Sequence, residues 1–182
     1  MKRCVLLAAG ALVVSSTLFA QAPNPAIEKA LAAAPRQARE GAAVIAWKAD
    51  FTYDTIKPGT NRLVCYDQSG QPNEQPFAVQ CTSVGNLERV AQNKKFEVET
   101  DRAKRQAAID AAEAGGTRVK PEYGSVFYSL SGADQATARL HVTIAVPGAT
   151  TATTGLPDNN KMGGAWIMNA GTSTAHIMTP GS

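Results

Sequence analysis

The sequence predicts an α+β fold, in which a mostly antiparallel sheet of about five or six strands carries one long helix on its apolar face. The clearest strand signal is segment 139–146, R-L-H-V-T-I-A-V, where polar and apolar side chains alternate without interruption. The helix signal is segment 86–114, which lacks proline and glycine and is rich in alanine, glutamate, lysine, arginine and glutamine. No internal repeat or linker interrupts the pattern, which indicates a single domain over residues 23–182.

The first 22 residues are predicted to be a signal peptide rather than part of this domain. A positive start, Met1-Lys2-Arg3, precedes an apolar run over 5–14 that is too short to span a bilayer as a helix. Small and polar residues follow, with a cleavage site after Ala20 or after Ala22. An uncleaved N-terminal anchor is the alternative. Export to the periplasm or the medium is therefore expected.

In the domain, local signals predict the first elements in chain order. Segment 25–34 is predicted as a helix, because a proline suits its first turn and another proline follows it. Segment 42–48 is predicted as a strand because alternate apolar side chains fall on one face, and segment 60–66 is predicted as the next strand. Turn residues at 57–59 separate these two strands.

Later in the chain, segment 86–114 is predicted as one long helix or two shorter ones, since K-F-E-V-E-T over 95–100 alternates as a strand would. Segments 125–131 and 139–146 are predicted strands, and 165–169 and 174–179 form a closing hairpin. The turn-rich segment 147–164 is either a lid or an ordinary solvated loop.

Cysteine usage predicts one disulfide. Of three cysteines, Cys4 lies in the predicted signal peptide, which leaves Cys65 and Cys81. The turn-rich segment between them can fold back to bring the two sulfurs together. A redox role is the alternative, although the spacing is far from C-x-x-C.

The charge balance argues against nucleic acid as a partner. The chain has 18 basic and 15 acidic residues, and without Lys2 and Arg3 the balance is 16 − 15 = +1. A near-neutral domain is not built to bind nucleic acid or an anionic membrane surface. The basic run over 102–105 is flanked by Asp101 and Asp110, which is typical of a solvated helix face. No other segment is apolar enough for membrane insertion once the signal is removed.

The candidate site rests on the two histidines, because the common catalytic motifs are absent. If strand 139–146 pairs with strand 174–179, His141 and His176 share one face, near Arg139 and Trp166. These four residues are the predicted ligand-binding candidates. No catalytic residue, metal ligand or cofactor is assigned. The alternatives are histidines that only make strand-end hydrogen bonds, a general base, or a metal site completed by Asp158 or Asp134.

The order of motifs resembles a family of small, functionally uncharacterised exported bacterial proteins, of which this chain looks like a distant member. The motifs are G-T-N-R-L-V-C followed by a second cysteine, then H-V-T-I-A-V-P, G-L-P-D-N-N-K-M-G-G and A-G-T-S-T-A-H-I-M. Arg62 and Asn169 stand where the family pattern usually has aromatic residues. The resemblance implies export and a disulfide, and it implies no activity.

These observations favour a non-catalytic exported domain that binds a small ligand or an envelope component through the histidine-bearing face. One alternative is a hydrolase or metal-dependent enzyme that uses His141 and His176. The other is a structural envelope protein.

Overall fold

The computed structural model describes residues 24–180, so the predicted signal peptide lies outside the described residues. Eight strands form one sheet. The strands are β1 Ala43–Trp47, β2 Tyr53–Lys57, β3 Leu63–Asp67, β4 Phe77–Ser83, β5 Val126–Gly132, β6 Arg139–Ala145, β7 Trp166–Met168 and β8 His176–Met178. The α-helices are α1 Pro25–Ala30, α2 Arg36–Arg39, α3 Leu87–Glu97, α4 Arg102–Ala114 and α5 Thr151–Thr154.

The α+β class is confirmed, but the predicted strand count is wrong. The sheet order is β2-β1-β3-β4-β5-β6-β8-β7. Neighbouring strands are antiparallel except β1 and β3, which run parallel and make the sheet mixed. Every predicted strand exists within a few residues of its expected bounds. The sequence reading missed β2 and β4.

The predicted long helix is two helices, α3 and α4. The break falls at 98–101, where β-branched Val98 and Thr100 disfavour helix and Asp101 begins a new one. The carboxylate of Asp101 accepts hydrogen bonds from the backbone amides of Ala103, at 2.9 Å, and Lys104, at 3.0 Å. The second helix therefore starts from an N-cap rather than continuing the first.

One side of the sheet, which we call the cysteine face, carries alternate side chains such as Val44, Cys65 and Val79. The N-terminal helix α1 and the short 3₁₀ turn Leu31–Ala33 pack on it. Leu31 is 5% exposed there. This apolar cluster is the largest of the three clusters of buried residues in the described part of the chain.

The predicted disulfide is present in the centre of this face. Cys65 and Cys81 lie directly opposite each other on the antiparallel strands β3 and β4, with their Cα atoms 4.1 Å apart. Both residues are fully buried. This separation matches the closer of the two pair types in an antiparallel ladder, so adjacent strands alone bring the sulfurs together.

The opposite side, which we call the histidine face, carries Tyr66, Gln80, Ser129, Thr143 and His176 on successive strands. Helix α3 packs on its β1–β3 end, where apolar side chains form a second cluster. The prediction that the long helix packs on the apolar side of the sheet holds only at this β1–β3 end. The apolar row of β6 points to the cysteine face, and His141 and Thr143 point to the helices.

A fully buried amide fixes the chain that leads from α4 into β5. The side chain of Asn86 donates to the hydroxyls of Thr82, at 2.7 Å, and Ser125, at 2.9 Å, and accepts from the backbone amide of Glu122 at 2.7 Å. A buried amide with these partners is satisfied and specifies one arrangement. Segment 115–124 is thereby held against α3, where it forms a wall of the cavity described below.

Within the described part of the chain, none of the helices combines the length and the apolar character needed to cross a bilayer.

Candidate functional site

A cavity of about 380 Å³ lies between the histidine face and the helices α3 and α4. Its floor is formed by β4, β5, β6 and β8, and its walls by α3, α4, segment 118–121 and the closing hairpin. The lining residues are Gln80, Arg89, Asn93, Phe96, Glu97, Arg105, Ile109, Arg118, Pro121, Phe127, Ser129, Thr143, Ala145, Asn169, Thr174, Ala175 and His176. Six of these residues are aromatic or aliphatic and the rest are polar or charged, so the lining is richer in polar groups than that of most small-molecule sites.

The first buried charge in this cavity is Arg89 on α3, which is 5% exposed. Its Nη1 donates to the backbone carbonyl of Val119 and to the hydroxyl of Ser173, the latter at 3.4 Å. Both acceptors are neutral. Burial, together with the nearby charge of Arg118, lowers the pKa of Arg89 to about 10.

The second buried charge is Arg118, which is 7% exposed. It donates from Nη1 to the side-chain oxygen of Gln92 at 2.6 Å and from Nη2 to that of Asn93 at 2.5 Å. Its guanidinium carbon lies 4.9 Å from the centre of the Phe96 ring. Within residues 24–180, its buried Nε finds no hydrogen-bond partner. Burial lowers the pKa of this guanidinium.

Two carboxylates stand near these cations without pairing with them directly. Glu113 accepts hydrogen bonds from the backbone amide and the hydroxyl of Ser173, at 2.6 and 2.5 Å, and so reaches Arg89 only through Ser173. Glu97 lines the cavity, and burial raises the pKa of its carboxyl. None of the ion pairs in the described range of the chain includes Arg89 or Arg118.

The sheet floor supplies a chain of polar groups. The buried hydroxyl of Tyr66 donates to the side-chain oxygen of Gln80 at 2.5 Å, and the amide nitrogen of Gln80 donates to Ser129 at 2.7 Å. His176 lies further along the floor, and its Nδ1 is 2.7 Å from the carbonyl oxygen of Thr174. Because a carbonyl only accepts, Nδ1 is the protonated nitrogen, and Nε2 is the acceptor in the neutral ring.

Of the four residues predicted as ligand-binding candidates, only His176 lines the cavity. Strand β6 does pair with β8 as expected, and Arg139, His141 and Trp166 share the histidine face with His176 by register. However, His176 lies opposite Ala145, four residues beyond His141. At about 3.3 Å per residue, the two histidine backbones are roughly 13 Å apart along the strands.

The metal alternative gains no support from the side chains around the histidines. Among the residues that the structure describes, no three His, Cys, Asp or Glu side chains are grouped so as to hold a metal ion. Asp134 accepts hydrogen bonds from the backbone and hydroxyl of Thr137 in the β5–β6 turn. Asp158 accepts from the side chain of Asn159 in the loop after α5.

The long segment 147–164 does not cover the cavity. It contains α5 and a 3₁₀ turn at Asn160–Met162, and none of its residues lines the cavity. Of the two interpretations given above, the structure favours the ordinary surface connection.

A second, smaller hollow of about 260 Å³ lies on the other side of Glu97. Trp47 and Lys94 line it, and the Lys94 ammonium lies 5.5 Å from the Trp47 ring centre. That ammonium also donates to the side-chain oxygen of Gln71 at 2.5 Å. The Lys94 ammonium thus already contacts an aromatic ring and a hydrogen-bond acceptor. This hollow has one buried cation, whereas the first cavity has two.

The sequence reading missed the residues that dominate the cavity. Arg89, Asn93, Phe96 and Glu97 recur at helical spacing on one face of α3, and this stripe was the signal available. A stripe that mixes charged, amide and aromatic side chains also occurs on solvent-exposed helices. The sequence alone therefore does not show that this stripe faces a cavity. Arg118 lies in an irregular segment, where no periodicity marks burial.

Comparisons of the chain with protein-family models, with curated proteins and with solved structures find no match. The class of this protein is therefore described by its fold and its cavity alone. The described residues form an α+β domain with a mixed eight-stranded sheet, the disulfide between Cys65 and Cys81, and a solvent-open cavity on the helix-covered face. Membership of the exported family suggested by the motifs remains a prediction.

Proposed function

We propose that this chain is a non-catalytic binding protein for a small organic molecule, which it holds in the cavity between the histidine face and α3 and α4. The observation that carries the proposal is the cavity itself. Its volume of about 380 Å³ falls within the range of roughly 300–1,000 Å³ that is usual for small-molecule sites. Its lining combines the rings of Phe96 and Phe127 with many polar and charged groups.

Rigid elements support this proposal. The floor consists of paired strands, and Arg89, Asn93, Phe96 and Glu97 project from one helix. Segment 115–124 is held by the buried amide of Asn86. A site on such elements needs little ordering when a ligand enters, which favours affinity.

Export to the periplasm or the medium is part of the proposal. The disulfide between Cys65 and Cys81 supports it, because such bonds persist in oxidising compartments. An envelope component as the bound partner is compatible with this location. A purely structural envelope protein would share the location and the disulfide and would bind nothing in the cavity.

A thermal-shift screen with a cavity-filling variant tests the proposal. Thr143→Phe places a ring on the cavity floor, and Thr55→Phe makes the same change on the exposed edge strand β2. A small organic ligand at about 100 times its Kd should raise the Tm of the wild type and of Thr55→Phe by about 5–10 °C. It should have no effect on Thr143→Phe.

Two results would overturn the proposal. One is a diverse library of small molecules in which no compound raises the Tm of the wild type, which would favour the structural protein. The other is a ligand whose stabilising effect is the same in Thr143→Phe, which would place binding elsewhere.

A further inference from the structure

The two buried arginines of the cavity are an unbalanced pair of charges. The hydrogen-bond acceptors of Arg89 are a carbonyl and a hydroxyl, and those of Arg118 are two amide oxygens. Buried cations ordinarily have an anion in direct contact, because removing charge from water is costly. Here each guanidinium is fixed by neutral groups and faces a cavity.

A third arginine extends the positive charge toward the cavity rim. Arg105 on α4 lines the cavity, is partly exposed, and donates from Nη1 to the backbone carbonyl of Glu99 at 2.7 Å. The acidic groups nearby offset this charge only in part, since three arginines stand against two carboxylates. Glu113 is held by Ser173, and among the described residues neither Glu113 nor Glu97 forms an ion pair with these arginines.

We propose that the ligand of this cavity is an organic carboxylate, whose anionic group is bound by Arg89 and Arg118 and whose apolar body packs against Phe96 and Phe127. The inference rests on the proposed function and names the ligand class of the same site. The positive sign of the buried charges calls for an anion, and the aromatic rings in the same cavity call for an apolar body.

The geometry of the guanidinium group favours a carboxylate. Arg118 is fixed in orientation by two amide acceptors and by the Phe96 ring, and each of its two Nη groups keeps a second N–H besides the one that an amide accepts. A planar donor fork held in this way is suited to a planar two-oxygen anion. A phosphate group of higher charge is less suited, because Glu97 also lines the cavity and repels each added negative charge.

The first test needs no variant. Binding of hexanoate, benzoate and 4-phenylbutyrate to the wild-type protein is compared, by isothermal titration calorimetry at low salt, with binding of the corresponding amides. Charge-assisted hydrogen bonds to a guanidinium predict that the acids that bind do so at least about tenfold more tightly than their amides. Phenyl phosphate is included as the competing anion.

A matched pair of variants then locates the anion. Arg118→Gln should weaken binding of the acid by about tenfold or more and leave binding of the amide unchanged. Arg102→Gln, on the exposed start of α4 and outside the cavity, should change neither. Arg118→Lys keeps the charge without the fork and replaces Arg118→Gln if the latter fails to fold.

The outcomes separate the two proposals. Amides that bind as tightly as acids, or tighter binding of phenyl phosphate than of benzoate, would overturn the carboxylate assignment and leave a ligand-binding cavity in place. Equal affinity of the acid for the wild type and for Arg118→Gln, or for Arg118→Lys where that variant replaces it, would also overturn it. If neither acids, amides nor any library compound binds in the cavity, the proposed function fails as well.

Discussion

Leu130 on β5 lies directly opposite Leu140 on β6, yet only Leu130 is covered by a helical segment. Leu130 packs against the cluster formed by α1 and the 3₁₀ turn, whereas Leu140 is 42% exposed. The same substitution at these two paired positions should therefore lower the free energy of unfolding by different amounts. We expect Leu130→Ala to lower the free energy of unfolding by about 2 kcal/mol and Leu140→Ala by less than about 1 kcal/mol.

Urea unfolding of the two variants measures this difference, with Leu31→Ala as the buried reference at about 3 kcal/mol. Leu140 belongs to the apolar row of β6, and the alternation of this strand predicts that this row is the covered one. A cost at Leu140 as large as that at Leu31 would show that another group covers this row in solution.

The disulfide should account for a large part of the stability. Replacing Cys65 and Cys81 together by serine, or reducing the wild type, should lower the free energy of unfolding by about 3 kcal/mol, because the unfolded chain gains the freedom of a 16-residue loop. Chemical denaturation with and without dithiothreitol measures the effect. The double variant should not respond to the reductant, and a loss below about 1 kcal/mol in either experiment would contradict the expectation.

The second helix should depend on its N-cap, since α4 has no fully buried residue. Asp101→Ala removes the acceptor of the amides of Ala103 and Lys104, and we expect a local cost of about 1 kcal/mol. Hydrogen exchange over 102–114 should accelerate. Asp110→Ala, an exposed change within the same helix, is the control, and equal exchange in the two variants would argue against the cap.

The carboxyl of Glu97 should make stability depend on pH. Burial raises its pKa in the folded protein above the value near 4.5 expected for the unfolded chain. The unfolded state therefore ionises first as the pH rises, and wild-type stability is lost from about pH 4.5 up through the folded pKa. Glu97→Gln should be more stable than the wild type at pH 7 and equal to it near pH 3.5.

Unfolding curves for the wild type and Glu97→Gln across this range check the sign. Glu88→Gln, on the exposed side of α3, controls for the loss of a charge from the helix. A Glu97→Gln variant that is less stable than the wild type at pH 7 would show that the carboxylate is stabilised by Lys94, Arg105 and Arg118 more than burial opposes it.

The parts of the fold that the sequence revealed are those whose side chains alternate clearly. Strand β6 and the closing hairpin have such alternation, and proline marks the ends of the first helix segment. Strand β2 lacked the signal, because its residues are mostly exposed on the sheet edge and are held by backbone bonds. Strand β4 lacked it for the opposite reason, since it is covered on both faces and shows no alternation of polarity.

The site was less predictable than the fold. The rarity of histidine drew attention to His141 and His176, and the shared face followed correctly from strand alternation. The register between β6 and β8 cannot be predicted from the sequence. This register pairs His176 with Ala145 and so places it four residues away from His141. The charges that shape the cavity come from a helix and an irregular segment, and they meet only when α3 folds onto the sheet.

The covalent link at the centre of the sheet also has a mechanical consequence. If the folded chain is pulled from its two ends, tension passes from β3 to β4 through the bond between Cys65 and Cys81. The segment between them bears no load, so the hairpin that joins these strands stays closed even after the rest of the domain has extended. Stretching the oxidised protein should release about 50 Å less chain than stretching the reduced one, at up to roughly 3.3–3.6 Å per residue.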